Sequence, residues 1–127
     1  GEPEKYPVKP PKKVKPQQHG NAFWIERGDA VLLVTRPGTG LLGGMRALPD
    51  DGWTARSDGS GLADTASWEH AGTVRHVFTH CALDLAVWHR TAAAGEQLDG
   101  EWWPIDRLDE AGLPTLYAKA AQRVLAD

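Results

Sequence analysis

Thr73-Val-Arg-His-Val-Phe-Thr-His-Cys-Ala-Leu-Asp-Leu-Ala-Val-Trp-His89 is the stretch whose reading decides the fold. In its second half Leu83, Leu85 and Val87 alternate with Asp84, Ala86 and Trp88, the period of two that gives a strand one buried face. Thr73 to Phe78 reads as the strand before it, with the turn at Thr79 to Ala82. Working outward, His19 to Arg27 carries Phe23, Trp24 and Ile25, Gly28-Asp29 supplies turn residues, and Ala30-Val-Leu-Leu-Val-Thr-Arg36 follows as a β-branched apolar run. That pattern predicts a second hairpin. Pro37 to Gly44 is a glycine-rich loop in which Leu41 and Leu42 are expected to tuck under the sheet while Gly43 and Gly44 permit close backbone approach.

Met45 to Leu48 is compatible with a short strand, and Asp50 to Asp64, which has no apolar period, reads as an exposed, mobile loop. Thr91 to Gly100 is loop and Glu101-Trp-Trp-Pro-Ile105 a further short strand. From Pro114 to Ala126, Leu113, Leu116, Tyr117, Ala120, Val124 and Leu125 fall three or four apart, one apolar stripe on a helix that enters near Thr115 as N-cap. The tryptophans are assigned to the core, Trp24 and Trp88 among them, with Trp53 and Trp68 beside the long loop as the two open to exposure. The result is a mixed α+β domain, a twisted sheet carrying at least one packed helix.

Composition bounds the function. The chain has 127 residues, 14 Lys+Arg against 17 Asp+Glu, and 41% hydrophobic residues, the make-up of one domain. Its apolar runs fall far short of the roughly 20 residues that a helical membrane span needs. The single cysteine, Cys81, cannot close an intramolecular disulfide or supply a multi-thiolate cluster, which fits a reducing, cytoplasmic setting. Charge is unevenly placed: residues 1–18 hold five lysines, two glutamates and five of the nine prolines, whereas the rest has 9 basic and 15 acidic residues. The first segment is therefore expected to be a semi-rigid interdomain connector over 1–18, joined to a folded domain over 19–127. Starting at Gly1 without an initiator Met, the chain reads as a piece of a longer protein. An acidic body argues against a sequence-blind nucleic-acid binder and for a small local recognition site, with Lys12, Lys13 and Lys15 of the connector as weak phosphate contacts.

Two motifs carry a resemblance. Arg36-Pro-Gly-Thr-Gly-Leu-Leu-Gly-Gly-Met45 with Leu48-Pro49 resembles the RPxxGLLGGLWEFP loop of MutY-type adenine DNA glycosylases, and Arg75-His-Val-Phe-Thr-His-Cys-Ala-Leu-Asp-Leu85 resembles their RHxFSHFxLxL segment. The Pro/Lys-rich entry Val8 to Pro16, Trp102-Trp103 and Leu113-Pro-Thr115 follow in the family's order. The resemblance is to the C-terminal domain of that family. It implies a Nudix-like fold and a non-catalytic role, reading 8-oxoguanine opposite adenine in duplex DNA during base excision repair. A separate N-terminal glycosylase domain of the same chain, bearing the catalytic carboxylates and an iron–sulfur cluster, would remove the adenine. No cofactor or metal is then expected in this piece; it would act as a monomer, in the bacterial cytoplasm with the nucleoid.

The residues fit that chemistry. 8-Oxoguanine differs from guanine by a carbonyl at C8 and a proton on N7, so a hydroxyl or carbonyl accepts from N7–H and an amide donates to O8. Thr79 is the first candidate for the lesion contact, Phe78 for stacking or wedging beside a base, His80 for a neighbouring phosphate, with His76 and Arg75 as supports. Thr79 stands where the family has Ser, which keeps the hydroxyl and adds a methyl, and Cys81 replaces an aromatic. His76, His80 and Cys81 invite a zinc reading, but i,i+4 ligands want a helix and this setting is strand-like. The glycine loop lacks the Gly-Lys-Ser/Thr ending of a P-loop.

The rival is a Nudix hydrolase of oxidised or other nucleoside diphosphates. Such enzymes carry a helix with the pattern G-x5-E-x7-R-E-x2-E-E-x-G, whose glutamates hold magnesium. Counting from Gly40, Gly43 or Gly44 places Arg46, Pro49 or Asp50 at the first Glu, and no glutamate occurs between Glu26 and Glu69. Ala47 stands where the glycosylase motif has its own Glu. A third reading, a protein-interaction module recruiting repair partners through the connector, rests on residues 1–18 alone.

Overall fold

A computed structural model describes residues 16–38, 42–62, 64–79 and 81–126. The connector lysines Lys12, Lys13 and Lys15, and also Leu41 and His80, lie outside the described residues. Six strands form one mixed sheet: β1 Gln17–Arg27, β2 Ala30–Thr35, β3 Arg46–Ala47, β4 Glu69–Val77, β5 Ala82–Thr91 and β6 Glu101–Pro104. The order is β3-β2-β1-β5-β4, with β6 also on β2. A 3-10 helix spans Ile105–Glu110, and α1 spans Thr115–Leu125.

The alternation in β5 is observed as read: Leu83, Leu85 and Val87 are fully buried, and Ala82, Asp84, Ala86 and Trp88 are not. β4 pairs antiparallel with β5 from Val77↔Ala82 to Glu69↔His89, broken by a bulge between His70 and Gly72. The β1/β2 hairpin also forms, but it is paired only at Glu26↔Val31 and Arg27↔Ala30. The long partner of β1 is β5, in parallel register from Gln17↔Ala82 to Glu26↔Thr91. Paired residues on neighbouring strands point to the same face, so in this register the two alternations coincide. Ala22 and Trp24 therefore add to the core face that Leu83, Leu85 and Val87 define.

Helix α1 lays Leu116, Tyr117, Ala120 and Ala121 onto this face. Leu125, placed on the apolar stripe from its spacing, is 51% exposed at the fraying end, and Ala121 is buried instead. Thr115 is the first helical residue rather than the cap: Pro114 occupies the N-cap, without a side-chain capping bond, and its carbonyl accepts from the Ala118 amide. In the glycine loop, Gly43 does approach the backbone closely, since a Cβ there would lie 2.8 Å from the Gly38 carbonyl carbon. Gly44 serves a different need, a φ of +77°.

The long loop and the tryptophans also differ from expectation. The segment 50–62 has no regular secondary structure, yet it is pinned to β1 and not simply exposed. Asp51 accepts from the Asn21 backbone amide (3.0 Å) and side-chain amide (2.8 Å), and Asp58 from the His19 amide at 2.8 Å. The Phe23 amide donates to the Pro49 carbonyl at 2.8 Å. Those bonds hold Trp53 in the core at 1% exposure. Of the six tryptophans only Trp24 and Trp53 are buried; Trp88, Trp68, Trp102 and Trp103 are half-buried. Trp88 leaves the core because it falls on the outward phase of β5, where its Nε1 donates to Asn21 Oδ1 at 2.8 Å.

Candidate functional site

The β4–β5 hairpin carries the residues singled out for lesion contact at its tip. The Phe78 amide donates to the Cys81 carbonyl at 2.7 Å and closes the turn, so Thr79 stands exposed at the apex. Cys81 is fully buried, which makes its replacement of an aromatic a matter of packing. Residue parity then sorts the side chains. Val74, His76 and Phe78 share the core side, whereas Thr73, Arg75 and Val77 point away from it.

Phe78 is half-buried and braced from below. Its ring stacks on that of Trp53, centroids 6.1 Å apart at 28°, and takes the His76 ring edge-on at 4.7 Å. The Arg36 guanidinium lies over the Trp53 ring, 4.4 Å from its centroid. An unbroken stack therefore runs Arg36–Trp53–Phe78–His76, joining the first residue of the glycine motif to the hairpin tip. It is possible because residue 20 is glycine: a Cβ there would lie 2.7 Å from Trp53 Cδ1. Behind the stack, Arg36 is paired with Asp50, and Tyr117 Oη donates to Asp50 Oδ2 at 2.9 Å while accepting from Arg36 (2.9 Å) and from Trp53 Nε1 (3.2 Å). Burial and the Asp50 carboxylate push the Tyr117 hydroxyl far above its ordinary range, so it stays a neutral donor.

The two supports differ in what they offer. Arg75 is bound to Asp84 across the hairpin by two bonds, Nε–Oδ1 at 2.8 Å and NH2–Oδ2 at 3.1 Å, and faces away from Phe78. That pairing raises the Arg75 pKa and lowers that of Asp84. His76 has its pKa lowered, first by burial and then by the charge of Lys119, so at neutral pH it is an uncharged ring against Phe78. Phe78 and His76 thus meet on one side of the hairpin, Arg75 lies on the other, and Thr79 is exposed at the apex.

Trp53, Tyr117, Asp50 and Gly20 were not singled out from sequence. Only Arg36-Pro37 gave a signal there, through the motif, because the partners of Arg36 lie as far as Tyr117 in the chain.

The carboxylates between β3 and β4 are all committed to holding the chain. Asp50 serves Arg36 and Tyr117, and Asp51 holds Asn21 and the Gly61 amide. Asp58 holds the His19 amide, and Asp64 holds the Ala66 amide and the Ser67 hydroxyl. The described residues from Asp50 to Trp68 contain no helix, so a glutamate-bearing helix has no counterpart among them. Among the described residues no three His, Cys, Asp or Glu converge as metal ligands, and no helix is long and apolar enough to cross a membrane.

A mixed sheet with a C-terminal helix across one face, and with the segment after the glycine loop lying irregularly on the sheet, defines a domain of Nudix-like fold. The profile described as NUDIX domain matches residues 21–123, and the chain belongs to that family. Among solved structures it is similar to a chain of the complex between the C-terminal domain of mouse MUTYH and human PCNA, with TM-score 0.64 at 20% identity, over 85% of this chain and 87% of that one. It is also similar to the NUDIX domain of Shewanella oneidensis NrtR complexed with ADP ribose, with TM-score 0.62 at 16% identity, over 94% and 93%. A third is the MutT protein of Methanosarcina mazei, with TM-score 0.63 at 16% identity, over 88% and 95%. No curated protein sequence matches.

Proposed function

We propose that this domain reads 8-oxoguanine opposite adenine in duplex DNA, as the non-catalytic lesion-recognition part of a MutY-type adenine glycosylase. The observation that carries the reading is the hairpin tip: Thr79 exposed at the apex, beside a Phe78 ring braced on Trp53. A lesion contact needs a donor and acceptor that reach the base edge and an aromatic that does not collapse when a base presses on it. The sequence motifs Arg36 to Pro49 and Arg75 to Leu85 support the same reading, and the stack brings these two separated motifs together. The glycosylase domain, its iron–sulfur cluster and the nucleoid location belong to this proposal as the rest of the parent protein. Adenine is removed there, since a base must leave the helical stack before its glycosidic bond can be reached.

One observation favours the hydrolase alternative. An open cleft of about 490 Å³ lies between residues 34–37 and 50–56, with Arg36 and Arg56 on its wall. Against it stands the commitment of Asp50 to Arg36 and Tyr117, which leaves no carboxylate cluster for magnesium on that wall. The test pairs two assays. Equilibrium binding should favour a duplex with 8-oxoguanine opposite adenine over its guanine counterpart, and Thr79→Ala should cut that preference about two- to tenfold, the worth of one net hydrogen bond. Incubation with oxidised nucleoside diphosphates and magnesium should release no phosphate. Magnesium-dependent turnover, or equal binding of the two duplexes, overturns the reading.

A further inference from the structure

Further down β4 from the hairpin tip, an open cleft of about 570 Å³ runs between β4 and α1, lined by Thr73, Val74, Arg75, Lys119, Gln122 and Arg123. β4 is the terminal strand of the sheet, so the cleft lies along an open edge. The charge on its walls runs opposite to that of the molecule. The whole chain has a formal charge of −3, yet α1 from Thr115 to Leu125 contains Lys119 and Arg123 and no carboxylate. The Arg75 charge is matched by Asp84. Arg90, Arg46 and Arg36 are likewise matched by Glu96, Glu101 and Asp50. Lys119 and Arg123 have no ion-pair partner among the described residues.

The stem of Arg123 lies against β4 at Gly72. A Cβ on Gly72 would lie 3.3 Å from Arg123 Cδ, so the stem of Arg123 crosses the strand where the bulge puts a glycine at φ +135°. Lys119 sits one turn earlier, about 6 Å along the helix axis. Its charge is felt at His76, whose ring meets Phe78 edge-on. Two unmatched cations thus continue the line of the hairpin tip along a single helix face.

We propose that Lys119 and Arg123 form a phosphate-backbone cleft, gripping one strand of the duplex next to the nucleotide that the Phe78–Thr79 tip contacts. A single strand presents a charge every ~3.4 Å of axis, so both cations reach one short run of it, and neither reads the bases. This rests on the lesion-reading proposal for the tip, and it supplies what an otherwise acidic body lacks, a local attraction for DNA. Arg75, bound to Asp84, forms the wall and does not add to the charge.

The test measures binding of the 127-residue chain to lesion and guanine duplexes across a salt series, for the parent, the double variant Lys119→Gln/Arg123→Gln, and Thr79→Ala. The double variant should bind both duplexes roughly tenfold more weakly and flatten the slope of log K against log salt by about 1 to 2, with lesion preference intact. Thr79→Ala should lower the preference and leave the slope. An unchanged slope in the double variant overturns the cleft while the tip reading stands. A flattened slope with no lesion preference in the parent overturns the tip and keeps the cleft. Absence of binding to both duplexes at low salt overturns both. Capture of a polyglutamate peptide that the double variant loses, with the DNA slope unmoved, would assign the cleft to an acidic protein segment and contradict the proposal.

Discussion

His76 is the residue whose environment makes the sharpest demand on conditions. Burial and the neighbouring Lys119 charge lower its pKa from the ordinary 6.5. A base whose folded-state pKa is depressed binds fewer protons folded than unfolded, so stability from this group is complete above about 6.5 and is lost as pH falls through the lower folded value. Chemical denaturation at pH 7 and pH 5 should therefore show a loss toward pH 5 in the parent that His76→Gln reduces. An identical loss in both would show that His76 is as readily protonated folded as unfolded. At this scale the sequence was informative about which residues stand at the tip and uninformative about their pairing. Phe78, Thr79 and His76 were legible from the motif. The Arg75–Asp84 bond depends on cross-strand register, and Trp53 beneath Phe78 on a contact between residues 25 positions apart that no local pattern encodes.

At the scale of elements, the decisive contact is that of the 50–62 segment with β1. Gly20 provides the room: a Cβ would stand 2.7 Å from Trp53 Cδ1 and 3.0 Å from its Cβ. Gly20→Ala should therefore push the indole off the strand, at a cost of about 1–3 kcal/mol for overpacking. The same change should loosen the Phe78 ring stacked on that indole. A thermal melt measures the first effect, and line-broadening of the Phe78 ring resonances the second; an unchanged melt would mean that Trp53 yields without strain. β5 and α1 were legible because their periods of two and 3.6 are carried by consecutive residues. The parallel β1–β5 pairing was not, since the alternation of a strand specifies a face and not a partner. The long loop was misread for a related reason: its one apolar anchor, Trp53, has no periodic companion, and polar bonds from Asp51 and Asp58 do the fastening.

Across the whole molecule, one face of the sheet gathers the parts that matter. The glycine motif enters through Arg36, the second motif contributes Phe78 and Thr79, and Trp53 bridges them, with α1 behind bearing Lys119 and Arg123. The family is shown by the NUDIX profile over 21–123, and the carboxylates that follow the glycine loop are spent on structure. Here the fold carries a braced hairpin tip, and the proposal is that this tip reads the lesion. It is tested most directly by titrating the isotope-labelled chain at low salt with two duplexes that differ only in carrying 8-oxoguanine or guanine opposite adenine, and following the backbone amides. Lesion reading at the tip predicts lesion-dependent shifts centred on residues 76–80 and spreading to the Trp53 indole, lost in Thr79→Ala. Equal shifts from both duplexes, or none near the tip, would contradict it.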